Sequence, residues 1–398
     1  MFPVQRARPG AMSARPSQMP ARPRRGARRR RLRGGDRMTD PRLDAPPGLF
    51  ARMLAGIARR AVRVEGRLPG SEALRRILVV RTDDRVGNAL LTIPLGLALR
   101  ESLPGAQVDL LLAARRAHLA EGLGLGIVPF EKTDAFRHPL RFLRFLRALR
   151  ARYDVVLDAA HWHAFSLTSA LLSRWAARAF VVGSRRGPDR IYSASVDLPS
   201  VDAPEAEAKL LLLRGLGLPV PASAPLRTRA GEDLAQWAAG VLGGSAVLLN
   251  PGARKADHRW PPDRFAALAR GIHAKHGLRS MVTFGPGEEP LARAVVEAAR
   301  PSAFLAPPTD LPQLAALLRL AALAVVNDTG PMHLAAACGA PTLALLHAPE
   351  GARFAHRDPL FAALVWPDVP QALAAASRLL DTAQAAREPP PSSQEHHR

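Results

Sequence analysis

One stretch restricts the architecture of this chain more than any other: Leu323–Leu346, LAVVNDTGPMHLAAACGAPTLALL. Leu323–Val326 is an apolar run too short for a helix and suited to a strand buried on both faces. Asn327, Asp328, Thr329 and Gly330 interrupt it with turn chemistry. Pro331 fits the first turn of a helix, where its missing N–H is not needed. Met332–Cys338 is a mostly alanine helix body, Gly339 can take the left-handed cap, and Pro341 prevents resumption. Thr342–Leu346 then reads as a second strand. Such a unit implies a parallel sheet whose polar residues lie at the carboxyl ends of its strands, the ligand edge of α/β folds. Unpaired N–H groups at the helix start carry partial positive charge and suit a phosphate. Thr329 adds a hydroxyl, Gly330 permits close approach, and Asp328 can accept from a ribose or an amide. The same residues would equally serve an ordinary capped helix.

The alternation recurs along the chain. Ile77–Val80 is a strand, RTDDRVGN (Arg81–Asn88) a polar loop, and Ala89–Ser102 a helix closed by Leu103-Pro104-Gly105. Apolar runs at Val108–Leu112, Ile127–Phe130, Val155–Leu157 and Phe180–Val182 continue the series. After the Pro-rich LGLPVPASAP, a second series begins with Ala246–Leu249 and NPGARKADHRWPPDRF, whose Pro pair opens a helix through about Lys275. Met281–Phe284 is a strand, GPGEE leads to a helix through Ala299, and Thr309–Leu320 is another helix. Strands spaced by helices make the class α/β. The expected divisions are a disordered Arg/Pro-rich tail (1–47), a basic amphipathic helix (48–72), a first domain (73–218), a linker (219–245), a second domain (246–367), and a terminal helix with a frayed tail (368–398).

Composition limits the function classes. The formal net charge is +22, but residues 1–45 alone hold 13 Arg against 3 Asp, so the body is only moderately basic. The tail suits nucleic acid, acidic lipid or plain solvation. It lacks the aromatic platform and motif of a nucleic-acid binder and the apolar core of a signal peptide. No apolar run reaches the ~18 residues of a membrane span. Cys338 is the only cysteine, which excludes an internal disulfide or a cysteine metal site and is compatible with a reducing cytoplasm. His161 and His163 follow the strand ending near Asp158, at a ligand edge, without a metal-ligand spacing. Arg137–Arg152, RHPLRFLRFLRALRAR, reads as a basic helix, either a membrane-facing ridge or a sheet cover with a solvated Arg face.

Three stretches together resemble glycosyltransferase family 9, the ADP-heptose:lipopolysaccharide heptosyltransferases. They are ILVVRTDDRVGNALLTIP, LLNPGARKADHRWPPDRFAALA and VVNDTGPMHLAAACGAPTLALL. The resemblance implies a GT-B fold, two Rossmann-like domains facing a central cleft. It implies inverting sugar transfer without a metal or a cofactor, the leaving diphosphate being stabilised by backbone donors and the helix dipole. ADP-heptose would be the donor and a lipopolysaccharide core or related glycan the acceptor, at the cytoplasmic side of the inner membrane, with peripheral contact to its anionic surface. Donor-binding residues carried over are Asn250, Arg254, Lys255, His258, Arg259, Glu288, Asp328, Thr329, Gly330, Pro331, Met332 and His333; Arg85, His161 and His163 fall on the acceptor side.

This chain departs from the pattern twice. The carboxylate the family places after the first loop's glycine, in the position of a general base, is Asn88 here, and an amide is not a useful proton acceptor. Asp84 is the nearest replacement and Asp83 the next. The lysine expected two residues before Trp-Pro is His258, with Arg259 and Lys255 as candidate cations. Asn88 also admits a second class, a sugar-nucleotide-binding protein without catalysis. A nicotinamide oxidoreductase is disfavoured, because the first strand is not followed by G-x-G-x-x-G.

Overall fold

The computed structural model describes residues 64–161, 165–185, 191–197 and 203–387. The expected tail at 1–47, residues 48–63 of the expected amphipathic helix, His163 and residues 388–398 lie outside the described residues. Residues 64–70 are not helical, so the expected helix does not extend to residue 72. Glu65 N and Gly66 N donate instead to the carbonyls of Arg178 and Ala179 (3.3 and 2.8 Å), and only a short 3-10 turn, Ser71–Ala73, precedes the first strand.

The first sheet contains β1 (Arg76–Val80), β2 (Gln107–Ala113), β3 (Gly126–Phe130), β4 (Tyr153–Asp158), β5 (Ala177–Ser184) and β6 (Ala194–Val196). The second contains β7 (Ala246–Asn250), β8 (Arg279–Val282), β9 (Ala303–Leu305), β10 (Leu323–Asn327), β11 (Thr342–Leu346) and β12 (Phe361–Val365). Their orders are β3-β2-β1-β4-β5-β6 and β12-β11-β10-β7-β8-β9. Every pairing is parallel. Counted from its own first strand, each sheet is doubly wound in the same sense, with its switch point between the first and fourth strands. These are β1/β4 and β7/β10, and the crevice outside such a pair is where ligands bind.

In the first half the helices are α1 (Val86–Leu90), α2 (Ile93–Ser102), α3 (Asp134–Arg137), α4 (Pro139–Leu149), α5 (Leu167–Ala176) and α6 (Glu205–Leu210). In the second they are α7 (Ala235–Leu242), α8 (Pro262–His276), α9 (Glu289–Ala299), α10 (Leu311–Leu320), α11 (Gly330–Ala337) and α12 (Val369–Arg387). Several boundaries differ from expectation. Helix starts at Val86, so Asn88 sits in a helical turn rather than a loop; Pro94 then forces a fresh start at α2. The basic helix is broken at His138, before Pro139. Residues 219–245 are not simply a linker, because α7 packs on α10. Likewise α12 covers α8 and β10–β12 and is integral to the second half. The strands β6 and β9, three residues each, are too short to be read in advance, and β12 was missed although Phe361–Val365 is wholly apolar. Gly339 does take the left-handed cap after α11 (φ 73°).

The two halves share buried surface. One apolar cluster runs from Ile77, Leu90 and Leu99 through Leu213 to Leu317, Met332 and Leu334. At ~25 cal/mol per Å² of apolar area removed from water, this shared burial holds both switch points against each other. α1 and α11 are packed together at that junction.

Candidate active site

At the first switch point β1 delivers a polar cluster. Arg81, the residue after the strand, is 1 % exposed. Its Nη1 donates to the Ala159 carbonyl (2.8 Å), Nη2 lies 2.9 Å from His161 Nε2, and Nε pairs with Asp83. Asn88 Nδ2 donates to Asp83 Oδ1 (2.6 Å), and the Arg85 backbone N–H approaches the same oxygen at 3.3 Å. Burial raises the Asp83 carboxyl, but Arg81, Asn88 and His161 outweigh it and hold the group below the ordinary Asp value. Asp84 turns away, half exposed, to Arg116 Nε (3.0 Å). Arg85 is exposed. Asp83, not Asp84, is the carboxylate that touches Asn88.

His161 and its neighbours close this cluster from β4 and α6. Asp158 ends β4 fully buried, bound by Ser169 Oγ (2.6 Å) and Tyr192 OH (2.7 Å), which fixes where the chain leaves the strand. His161 Nδ1 is 3.8 Å from Glu205 Oε1. Glu205 and Lys209 form a buried i,i+4 pair. Burial pushes Glu205 up, but Lys209 and His161 bring it down to about 2. Burial lowers Lys209 to about 8 against the pull of Glu205, and it lowers His161, favouring neutral imidazole. Below the strand ends lies a cleft of about 770 Å³ with Asp83 and Asp84 on one side and Arg115, Lys132, Arg137 and Arg141 among its other walls.

At the second switch point Asn327 organises the loops. Its Oδ1 accepts from Trp260 N (3.0 Å), and its Nδ2 donates to the carbonyls of Pro251 (2.9 Å) and Gly252 (3.3 Å). Asn250 is buried and donates to Thr283 Oγ1 (3.0 Å), so its side chain shapes the loop. Thr329 stands at the N-cap of α11 without a side-chain capping bond; its hydroxyl donates to the Asn327 carbonyl (3.2 Å). No side chain caps this helix start, where Pro331 lacks an N–H and Met332 N already donates to the Thr329 carbonyl (3.1 Å). Arg254 and Lys255 are exposed in the loop after β7. Arg259 is committed elsewhere, to the Ala253 carbonyl (2.8 Å) and toward Glu288 (3.7 Å). Glu288 makes no helix cap; its Oε2 accepts from Gly285 N (3.1 Å) and lies over the Gly252 backbone.

Met332 is fully buried in the shared core, and Pro331 is half-buried at the helix start. His333 is buried with Nδ1 3.1 Å from His356 Nε2. The Met332 and His333 side chains are both turned into the protein. Burial holds His333 well below its ordinary value, with His356 adding to the effect. His258 stacks on His347 (centroids 3.4 Å apart), whose Nδ1 is 3.9 Å from Asp328 Oδ2. Burial raises Asp328, opposed by His347 and Arg353.

The two switch points meet. A Cβ on Gly330 would stand 3.2 Å from Val86 Cβ, and one on Gly87 would overlap the His333 ring. Lacking those atoms, α1 and α11 approach closely, bringing the Asp83–Asn88 pair and the uncapped helix start to one junction. Sequence reasoning missed Arg81, Glu205, Lys209, His347 and His356. Arg81 and His347 each follow directly on a buried strand, the positional signal that had already singled out His161. Glu205–Lys209 reads as an ordinary surface i,i+4 pair, and no sequence signal marks its burial.

Two doubly wound parallel sheets with facing switch points define a two-domain, nucleotide-sugar type of glycosyltransferase architecture. The glycosyltransferase family 9 (heptosyltransferase) model matches residues 142–358, more than half of the chain. The chain belongs to that family and is a glycosyltransferase. It is 27% identical over 282 residues to lipopolysaccharide heptosyltransferase 3 of Escherichia coli, covering 66% of this chain and 81% of the relative. It is 26% identical over 286 residues to lipopolysaccharide heptosyltransferase 1 of Pseudomonas aeruginosa (68% and 78%). The fold is shared with a family 9 glycosyltransferase from Veillonella parvula (19% identity, 77% and 98% covered, TM-score 0.64). It is shared too with E. coli heptosyltransferase WaaC with ADP (22% identity, 77% and 99% covered, TM-score 0.61). The family match begins beyond Arg81–Asn88, the loop where this chain departs from the pattern.

Proposed function

We propose that this enzyme transfers a heptose, with inversion and without a metal, from ADP-heptose to a lipopolysaccharide core or related glycan, in peripheral contact with an anionic membrane. The curated relatives are lipopolysaccharide heptosyltransferases, and a structure of the same fold is of a heptosyltransferase with ADP. The observation that carries the reading is the packing of the uncapped α11 start against the helix that bears Asn88. The diphosphate would lie against the α11 start, where Gly330 lets it approach the backbone, with Thr329 beside it and Arg254 and Lys255 as candidate cations for its outer oxygens. The acceptor oxygen bonds to the anomeric carbon from the opposite side as the bond to the diphosphate breaks. Its proton passes to Asp83, whose carboxylate is one hydrogen bond from the position where the family pattern places a base. Arg81 and Asn88 orient that carboxylate, His161 bonds to both of them, and Glu205 of the buried Glu205–Lys209 pair stands beside His161.

A second reading has its own support. Asp83 Oδ1 already accepts from Asn88 and Oδ2 is paired with the Arg81 guanidinium, as in a purely structural carboxylate, which favours donor binding without transfer. The deciding experiment uses the purified chain with ADP-heptose and lipopolysaccharide-core acceptors, following ADP release, product anomeric configuration, and the effect of a chelator. Inverted product insensitive to chelation supports the proposal. Retained configuration or chelator-dependent turnover refutes the corresponding clause, and tight ADP-heptose binding with no transfer favours the second reading.

A further inference from the structure

We infer that α3 and α4 form a docking ridge for an anionic lipid bilayer, set so that the cleft leading to Asp83 and Asp84 opens at the headgroup level. The ridge itself is argued from surface chemistry alone; only the purpose of the docking, delivery of a lipid-linked acceptor, rests on the function proposed above.

The sequence of α4 divides its residues between two faces. Phe142, Phe145, Leu146 and Leu149 recur at helical spacing and turn inward, packing with Val80, Phe130, Tyr153 and Val156. Rings of Phe142 and Phe145 are 6.3 Å apart, and Phe145 is 5.7 Å from Phe130. The opposite face should be polar on a sheet-covering helix. It instead presents Leu140 (71 % exposed) and Leu143 (54 %), continued by Phe136 (89 %) from α3. These are half of the large apolar side chains that stand exposed among the described residues, so the pattern is not the ordinary scatter of surface apolar groups. Arg137, Arg144 and Arg147 surround them, all exposed. Arg141 is tied to Asp134 (3.2 Å), while Arg150 and Arg152 lie over Trp175 and Tyr153.

Apolar side chains ringed by long cationic ones match the acyl–headgroup boundary of an anionic leaflet. The apolar tips enter, and the Arg stems extend along them to the phosphates. Other occupants are disfavoured by charge. Residues 131–152 carry seven Lys and Arg against Glu131 and Asp134, so a second copy of the ridge would meet its own sign. Residues 49–63 carry four Arg and no acid and would be repelled in the same way. The ridge also adjoins the cleft, since Arg137, His138 and Arg141 line the same space as Asp83 and Asp84. A bilayer against Leu140 and Leu143 therefore meets the wall of the cleft.

The test uses the full chain with Cys338→Ala, so that Leu140→Cys provides a single thiol for an environment-sensitive fluorophore. Vesicles of equal parts phosphatidylglycerol and phosphatidylcholine should blue-shift the label, and pure phosphatidylcholine should not. The variant Phe136→Ser/Leu140→Ser/Leu143→Ser, whose changes are all on exposed side chains, should lose vesicle affinity at least ~10-fold with unchanged Tm and ADP affinity. Vesicle binding that leaves the label unshifted would place the contact elsewhere and overturn the inference. Absence of binding to anionic vesicles, or a shift that grows with protein concentration without lipid, would overturn it too. Soluble-acceptor turnover separates the two claims: its absence in the wild type counts against the proposed function and leaves the ridge standing.

Discussion

Exchanging the residues at 83 and 88 tests the active-site geometry most directly. From sequence alone, Asn88→Asp restores the family's usual carboxylate and should be tolerated or raise activity. The structure reverses that expectation, because Asn88 Nδ2 is 2.6 Å from Asp83 Oδ1. A carboxylate there would bring two negative oxygens into contact. At an effective dielectric of ~20, two unit charges at that separation repel by about 6 kcal/mol. Rotation and uptake of one shared proton reduce this, but the charged hydrogen bond, worth ~1.5–3 kcal/mol, is also lost. We expect Asn88→Asp to lose about 2–4 kcal/mol of stability at neutral pH and to recover part of it on acidification. Asp83→Asn should keep the fold and donor affinity but lower kcat by ~10²–10⁴-fold, the usual worth of a general base. Asp84→Asn should cost less than ~10-fold. The double exchange Asp83→Asn/Asn88→Asp should restore a single carboxylate, recovering stability to within ~1 kcal/mol and much of kcat. Thermal unfolding and turnover on the acceptor measure all four proteins. Unchanged Tm and full activity in Asn88→Asp would refute the contact, and full activity in Asp83→Asn would remove Asp83 as base and return the role to Asp84.

Gly330→Val should weaken ADP binding at least ~10-fold, equivalent to ~1.4 kcal/mol, by calorimetry. Val86→Ala should recover part of the loss; unchanged affinity in a folded protein would place the diphosphate elsewhere. Gly87→Ala should lower kcat and Tm together by forcing α1 off His333, and a partial return with His333→Ala would confirm that contact. His356, pushed down to about 4 by burial against the pull of Asp358, binds its proton more weakly folded than unfolded. Its contribution, at most ~3 kcal/mol, is complete above pH ~6.5 and is lost as pH falls through about 4; His356→Gln should flatten acid unfolding over that window. Removing residues 1–40 should leave Tm and soluble-acceptor turnover unchanged, and a marked fall in Tm would refute the expectation of a disordered tail.

What the sequence made legible was set by local chemistry. Short apolar runs and Gly or Pro stops located the longer strands and α11, because those signals act within a few residues. β6 and β9 were not legible: at three residues each they depend on pairing with a neighbouring strand more than on their own composition. The site was half legible for the same reason. Asp328 and Thr329 follow a strand and open a helix, and both flank the uncapped α11 start. Met332 and His333 share that motif, yet helical geometry turns their side chains into the core. Asn88 stood out as a missing carboxylate, but only the fold of Arg81–Asn88 shows that Asp83 comes to lie against it.

That substitution need not be a simple loss, because helix geometry can exchange which residue carries the charge. Asn88 lies in α1, and its amide reaches back to a residue that precedes the helix. Asp83 is held on its other side by Arg81, which is anchored to the Ala159 carbonyl and cannot follow a moving loop at little cost. The carboxylate is thus positioned by one fixed strand end and one helical turn, while α11 presses on that same turn through Gly330 and Gly87. On the proposed function, a donor seated on the α11 start would lie next to the element that orients Asp83. Donor binding and base position would then be coupled through packed atoms, and a Cβ at Gly330 or Gly87 should weaken that coupling.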